Sequence, residues 1–97
     1  MKIYRELDPL LHSQLRLFIM SILVAEEQAE FNYLKEVTKA TSGNLSAQIN
    51  ILKRERYLTV TKKFRENKPV TICRINDTGM EAFGNYVKAL QNYIKAA

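Results

Sequence analysis

The sequence predicts an α+β fold that is mostly helical: three helices, a two-stranded hairpin and a long C-terminal helix. Three observations lead there. Apolar residues recur at helical spacing in three early segments and again after residue 77. Residues 58–75 hold two β-branched, alternating runs around a polar turn. The third observation is charge: from Lys53 to Arg74 eight Lys/Arg stand against two Glu, a local +6 in a chain whose total is +5. Positive charge is therefore concentrated on one helix end and the hairpin behind it, as on a phosphate-binding surface. A polar-faced helix leading straight into a basic hairpin is the order of a winged helix-turn-helix, in which a helix enters the DNA major groove and a positive wing holds the backbone.

The 97 residues are expected to form one domain, residues 1–97, small but able to bury a core without disulfides or metal. A single cysteine, Cys73, cannot close an internal disulfide, and a single histidine, His12, cannot anchor a metal site. Lys2, Arg5, Glu6 and Asp8 interrupt any apolar run at the start, so no secretory signal is expected. Residues 15–25 are apolar but too few to span a bilayer, and they include Arg16. These features predict a cytoplasmic protein without a membrane partner. No linker, repeat or low-complexity tract divides the chain.

Helix 1 is expected over residues 8–25, with Asp8 as cap and Pro9 in the first turn. Its apolar residues are too dense for one stripe, which predicts cover from its own domain and from a second subunit. Phe31 is read as a minimal extended segment, Asn32 as the cap of helix 2 (residues 32–38), and Lys39-Ala40 as a turn. Thr41 caps a third helix, residues 42–56, whose Leu45, Ile49 and Leu52 face the core. The wing, residues 58–75, has strands at 58–64 and 70–75 around a turn stopped by Pro69. Asn76 or Asp77 caps the last helix, residues 77–96, where Met80, Phe83, Val87, Leu90 and Ile94 form an a/d-type seam.

Candidate site residues follow from these placements. Ser42, Asn44, Ser46, Ala47, Gln48, Asn50, Lys53 and Arg54 turn away from the core of helix 3, small enough at its start to enter a major groove. Asn and Gln there can bond adenine bidentately, each worth about 1–3 kcal/mol of discrimination. Lys62, Lys63, Arg65 and Lys68 cluster at the hairpin and suit phosphate contacts, which give affinity without sequence information. Edge strands also carry lysine against aggregation, but four cations beside a polar-faced helix exceed that need. Leu11, Leu15 and Phe18 of helix 1, with Phe83, Val87, Leu90 and Ile94 of the last helix, are the expected homodimer interface. His12 is read as packed or solvent-facing, and Cys73 as pointing inward from its strand. The sequence holds no Ser/His/Asp set, Gly-rich phosphate loop or metal-ligand cluster, so neither catalysis nor a cofactor is expected.

Taken in order, Leu7-Asp8-Pro9, His12-Ser13, Leu15-Arg16-Leu17, Phe31 to Lys35, Gly43 to Ala47, Lys68-Pro69 with Thr71, and Gly79 with Ala82-Phe83 and Tyr86 form a pattern. By it the chain resembles the compact winged-helix transcriptional regulators of bacteria and archaea related to the MarR and ArsR groups. The resemblance implies a homodimer joined through first and last helices, with one recognition helix and one wing per subunit. Two departures matter. Such regulators usually have glycine where Arg56 stands, so either the helix ends differently or Arg56 accepts left-handed strain of about 1 kcal/mol. The paired cysteines of ArsR-type metal sensors are missing, so metal sensing is not implied, and no residues identify a small-molecule effector. The leading expectation is a sequence-specific DNA-binding regulator on double-stranded DNA. A winged-helix protein–protein module and a nonspecific architectural DNA binder are the alternatives.

Overall fold

The computed structural model describes residues 7–96; the charged positions Lys2, Arg5 and Glu6 of the signal argument lie outside the described residues. The elements are α1 (Gln14–Glu26), β1 (Gln28–Glu30), α2 (Phe31–Thr38), α3 (Ser42–Arg54), β2 (Leu58–Arg65), β3 (Lys68–Ile75) and α4 (Asp77–Ala96). The expected winged-helix order is present with one addition. β1 pairs antiparallel with β3, Ala29 opposite Cys73, and makes the hairpin a three-stranded sheet in the order β1-β3-β2. Three residues are too few to show an alternating pattern, so sequence periodicity passes over β1 and places the extended segment at Phe31, the first residue of α2.

The apolar density of α1 is met largely within its own domain. α1 lies against α2, α3, α4, β1 and β3. Ile19, Met20 and Leu23 are completely buried, and Ile22 nearly so. A helix apolar on all sides belongs at the centre of its own domain. Leu11, expected at a dimer interface, is likewise 0% exposed and part of this core. Of the expected interface residues on this helix, Leu15 is half-buried and Phe18 is 41% exposed.

α1 also starts later than residue 8. Asp8 does cap a turn, with its Oδ1 accepting the Leu10 N–H at 2.9 Å and its carbonyl accepting from Leu11 and His12. That turn does not propagate, because Ser13 is extended at φ −142°. The Leu10 carbonyl accepts the Arg16 Nε–H at 2.6 Å, in the place a continuous helix would give it the Gln14 N–H. The cap of α2 differs as well: Glu30, not Asn32, holds the N-cap position, and its carboxylate is engaged elsewhere.

α3 follows the expected design. The Thr41 hydroxyl accepts the Asn44 N–H at 3.1 Å, and Leu45, Ile49 and Leu52 are buried. Its C-terminus settles the question of Arg56, which adopts φ 66° in the left-handed region. The Arg56 N–H reaches the Lys53 carbonyl and the Tyr57 N–H the Leu52 carbonyl, the paired bonds of a Schellman ending. Arg56 accepts the strain, and the helix ends at Arg54 rather than residue 56.

The hairpin turn is tighter than its sequence implies. Glu66 and Asn67 both have positive φ, 53° and 64°, as a two-residue type I′ loop requires, so Arg65 pairs with Lys68 and Pro69 lies inside β3 opposite Phe64. Proline is tolerated there because β1 pairs only with residues 72–74. Next to the turn, position 69 turns its missing N–H to the open side of β3.

α4 is capped by Asn76, whose Oδ1 accepts the Gly79 N–H at 2.8 Å. Gly79, Tyr86 and Ala89 are its buried residues, with Ala82 half-buried beside them on the same stripe. The Tyr86 hydroxyl meets His12 Nδ1 at 3.0 Å. Of the expected seam, Met80 is 46%, Leu90 37% and Ile94 68% exposed, while half-buried Phe83 packs against the core. Among the described residues, no helix is long and apolar enough to cross a membrane.

Two substitutions test this framework by denaturant unfolding. A Cβ on Gly79 would come within 2.1 Å of the Tyr57 carbonyl oxygen and 2.9 Å of Ile75. Gly79→Ala should therefore destabilise by about 1–3 kcal/mol, since backbone must move. Arg56→Gly should stabilise by several tenths to about 1 kcal/mol, relief of left-handed strain outweighing glycine's entropy in the unfolded chain.

Candidate nucleic-acid interface

Burial of Leu45, Ile49 and Leu52 fixes how α3 is rotated, and that rotation sorts its polar residues into two flanks and a crest. Ser46, Asn50 and Lys53 turn toward the wing, where they line a cleft of about 380 Å³ with Phe31, Ile49, Val60, Lys62 and Thr71. Gly43, Ala47 and Arg54 lie on the outward crest, all exposed. Asn44, Gln48 and Ile51 form the flank nearer α1, where Arg16 contacts Gln48. Ser42, Asn44, Ser46, Ala47, Asn50, Lys53 and Arg54 are exposed, as a reading surface requires, but Gln48 is half-buried. It is already bonded: Arg16 donates to its Oε1, and its Nε2 donates to Asn44 Oδ1 at 3.1 Å.

Registered residues of neighbouring antiparallel strands share a face, so the register divides the hairpin cations. Lys62 pairs with Thr71 and Phe64 with Pro69, on the face of Val60 and Cys73 that turns toward α3. Lys63, Arg65 and Lys68 alternate onto the opposite face with Val70 and Ile72. The sequence cluster of four is therefore not one patch. Arg65 is further committed, its guanidinium gripping the Glu30 carboxylate through two bonds of 2.7 and 3.0 Å. That hydrogen bond holds the Glu30 carboxyl below its ordinary range and raises Arg65. On the same outer face Arg74 is paired with Glu27 at 2.9 Å. Lys53 and Lys62 remain the cations flanking the cleft between α3 and the sheet.

Sequence reasoning missed several participants. Phe64 is 80% exposed near the hairpin end on the α3-facing side, an apolar side chain among cations of the kind that packs on sugars or wedges against base steps. Nothing in the alternation distinguishes it from a core strand residue. In sequence Arg16 is a cation within an apolar segment and part of the Leu15-Arg16-Leu17 pattern; in the fold it links α1 to Gln48 of α3. Its signal, a lone cation in an apolar helix, was legible; its partner was not. Cys73 is completely buried, and burial pushes its thiol up to about 11, so it stays protonated. Tyr57 is pushed up to about 12 by burial and by its 2.8 Å hydrogen bond to Asp8. It pins the start of the wing to the turn before α1.

Similarity to known proteins decides the family. A family model of the winged helix DNA-binding domain matches residues 15–94. The chain belongs to the winged helix DNA-binding domain family. Its sequence is also 34% identical over 76 residues to an uncharacterized protein of Methanocaldococcus jannaschii, covering 78% of this chain and 83% of that one. Among solved structures, a transcriptional regulator homologue of Pyrococcus horikoshii superposes with TM-score 0.85 at 30% identity, over 90% of this chain and 86% of that chain. The transcriptional regulator BldR of Sulfolobus solfataricus gives TM-score 0.72 at 18% identity over 87% and 59%, a likeness of fold. Its family is one of DNA-binding domains.

Proposed function

We propose that this winged-helix protein is a homodimeric, sequence-specific DNA-binding transcriptional regulator of the cytoplasm. Its α3 enters the major groove, and the cleft beside it holds one phosphate strand between Lys53 and Lys62. The observation that carries the reading is that cleft: a helix with an exposed polar face and a hairpin strand meet along it, and each contributes a cation. Ser46 and Asn50 line it from α3, beside the groove-facing crest at Ala47 and Arg54. Lys63 and Lys68, on the other sheet face, reach phosphates only around the hairpin end. Arg65 stays with Glu30. Catalysis has no part in this reading.

Binding to duplex DNA as a function of salt tests it. Replacing Lys53 and Lys62 by Ala should weaken binding to all sequences and lower the slope of log K against log salt by about 0.9 per lost contact. Lys63→Ala should change the slope less. A regulator prefers its operator over random duplex by about 10³-fold or more. Equal binding to every duplex would favour an architectural role, and binding to none a protein–protein module. An unchanged slope in the double variant would refute the cleft as the phosphate seat.

The homodimer is supported by what α4 leaves uncovered. Met80, Leu90 and Ile94 are exposed along α4 beside half-buried Val87, while half-buried Phe83 also packs against the core. Phe18 is the exposed apolar residue of α1. A second copy, pairing these helices, would cover them and set two α3 helices for half-sites about 34–36 Å apart. Leu90 is at the surface of one subunit, so Leu90→Lys should leave the fold intact while weakening the dimer by several kcal/mol. Light scattering should report a dimer for the parent and a smaller species for the variant, with operator affinity lost in parallel. A parent that stays monomeric at micromolar concentration would contradict this assembly.

A further inference from the structure

We infer, on the reading of α3 as the groove helix, that Arg16 is a specificity-determining positioning residue. By fixing the amide of Gln48 it turns the Asn44–Gln48 flank into a hydrogen-bond donor, which prefers guanine over adenine. The chain of contacts starts in the turn before α1. Arg16 Nε–H donates to the Leu10 carbonyl at 2.6 Å, which holds the guanidinium in place. A second guanidinium N–H donates to Gln48 Oε1, and Gln48 Nε2 donates to Asn44 Oδ1 at 3.1 Å.

The direction of this relay is imposed by chemistry. A guanidinium has N–H donors and no acceptor at any accessible pH, so Gln48 must present its oxygen to Arg16. The Gln48 NH₂ then faces Asn44, and Asn44 must answer with its own oxygen. One cation on α1 thereby sets the orientation of two amides on α3, each of which would be free to flip if it were alone.

The consequence is a change in what these residues read. A free glutamine offers one donor and one acceptor, which matches the N6 and N7 of adenine. Here the Gln48 oxygen is held by Arg16, and the Asn44 oxygen already accepts a bond. What remains is donor-rich: one N–H on Gln48 Nε2 and two on Asn44 Nδ2. The major-groove edge of guanine presents two acceptors, N7 and O6, whereas adenine would set its N6 donor against these N–H groups. The earlier expectation of bidentate adenine contacts from Gln48 is thus replaced by guanine recognition.

A selection of bound fragments from random duplex DNA tests this with the intact chain. The parent should enrich guanine at the positions that Asn44→Ala relaxes. Arg16→Met keeps the aliphatic stem but removes the donors. It should cut the guanine-over-adenine preference at those positions by roughly ten-fold, with the salt slope unchanged. Arg16→Lys, which still donates, should retain most of the preference. Gln48→Glu separates reading from scaffolding, because it strengthens the contact to Arg16 while removing the donor to Asn44. It should lose guanine preference without losing thermal stability, and it decides the matter if Arg16→Met fails to fold. Adenine enrichment by the parent, or an unaltered guanine preference in Gln48→Glu or in folded Arg16→Met, would overturn the relay alone. A parent without sequence preference would overturn the reading of α3 together with it.

Discussion

Everything in this fold is arranged to bury α1. A helix carrying Ile19, Met20, Ile22 and Leu23, apolar beyond a single stripe, has no stable place at a surface. Each such side chain contributes about 1.5–3 kcal/mol when removed from water. α2 and α3 close over it through Leu34, Leu45, Ile49 and Leu52, the sheet through Ala29, Cys73 and Ile75, and α4 through Tyr86 and Ala89. α3 thus takes its rotation from the core: because three of its residues must meet α1, its polar residues must face outward and toward the wing. The geometry of the exposed α3 surface is a by-product of packing at the centre.

The second constraint lies at the junction after α3. Within a few residues the chain ends a helix, starts a strand and receives the first turn of α4. Arg56 takes a left-handed conformation, the Tyr57 hydroxyl holds Asp8, and the Tyr57 carbonyl accepts the Asn76 N–H at 3.3 Å. Gly79 passes so close to that carbonyl that a methyl group would collide with it. Wing and C-terminal helix are therefore set from one point, and the strain at Arg56 is held in place by the contacts around it. A wing anchored this way brings Lys62 to the cleft that Lys53 lines from α3.

Charge in this molecule is organised by strand alternation rather than by sequence proximity. Neighbouring lysines in β2 point to opposite faces, and the outer face neutralises part of its own charge through Glu30–Arg65 and Glu27–Arg74. Both pairs are solvent-exposed and contribute little to stability. Their effect is on the field: they offset positive charge on the outer face, whereas Lys62 stands on the α3 side.

The order of helices and hairpin, the capped start of α3 at Thr41 and its buried Leu45, Ile49 and Leu52 were all determined by the sequence itself, as was the exposure of most of the proposed reading residues. These are matters of local period and capping, which a few adjacent residues carry. Tertiary structure decided the rest. Whether α1 meets its own domain or a second subunit depends on which elements fold back over it, and no period reports that. β1 exists because β3 offers an edge, and Pro69 is a strand residue because the I′ turn is short and that side of β3 is open. Whether Arg65 is free depends on Glu30, and whether Gln48 accepts a bond depends on Arg16, partners 35 and 32 positions away. Hydrogen-bond polarity between residues so far apart in sequence is fixed only when the core brings them within reach.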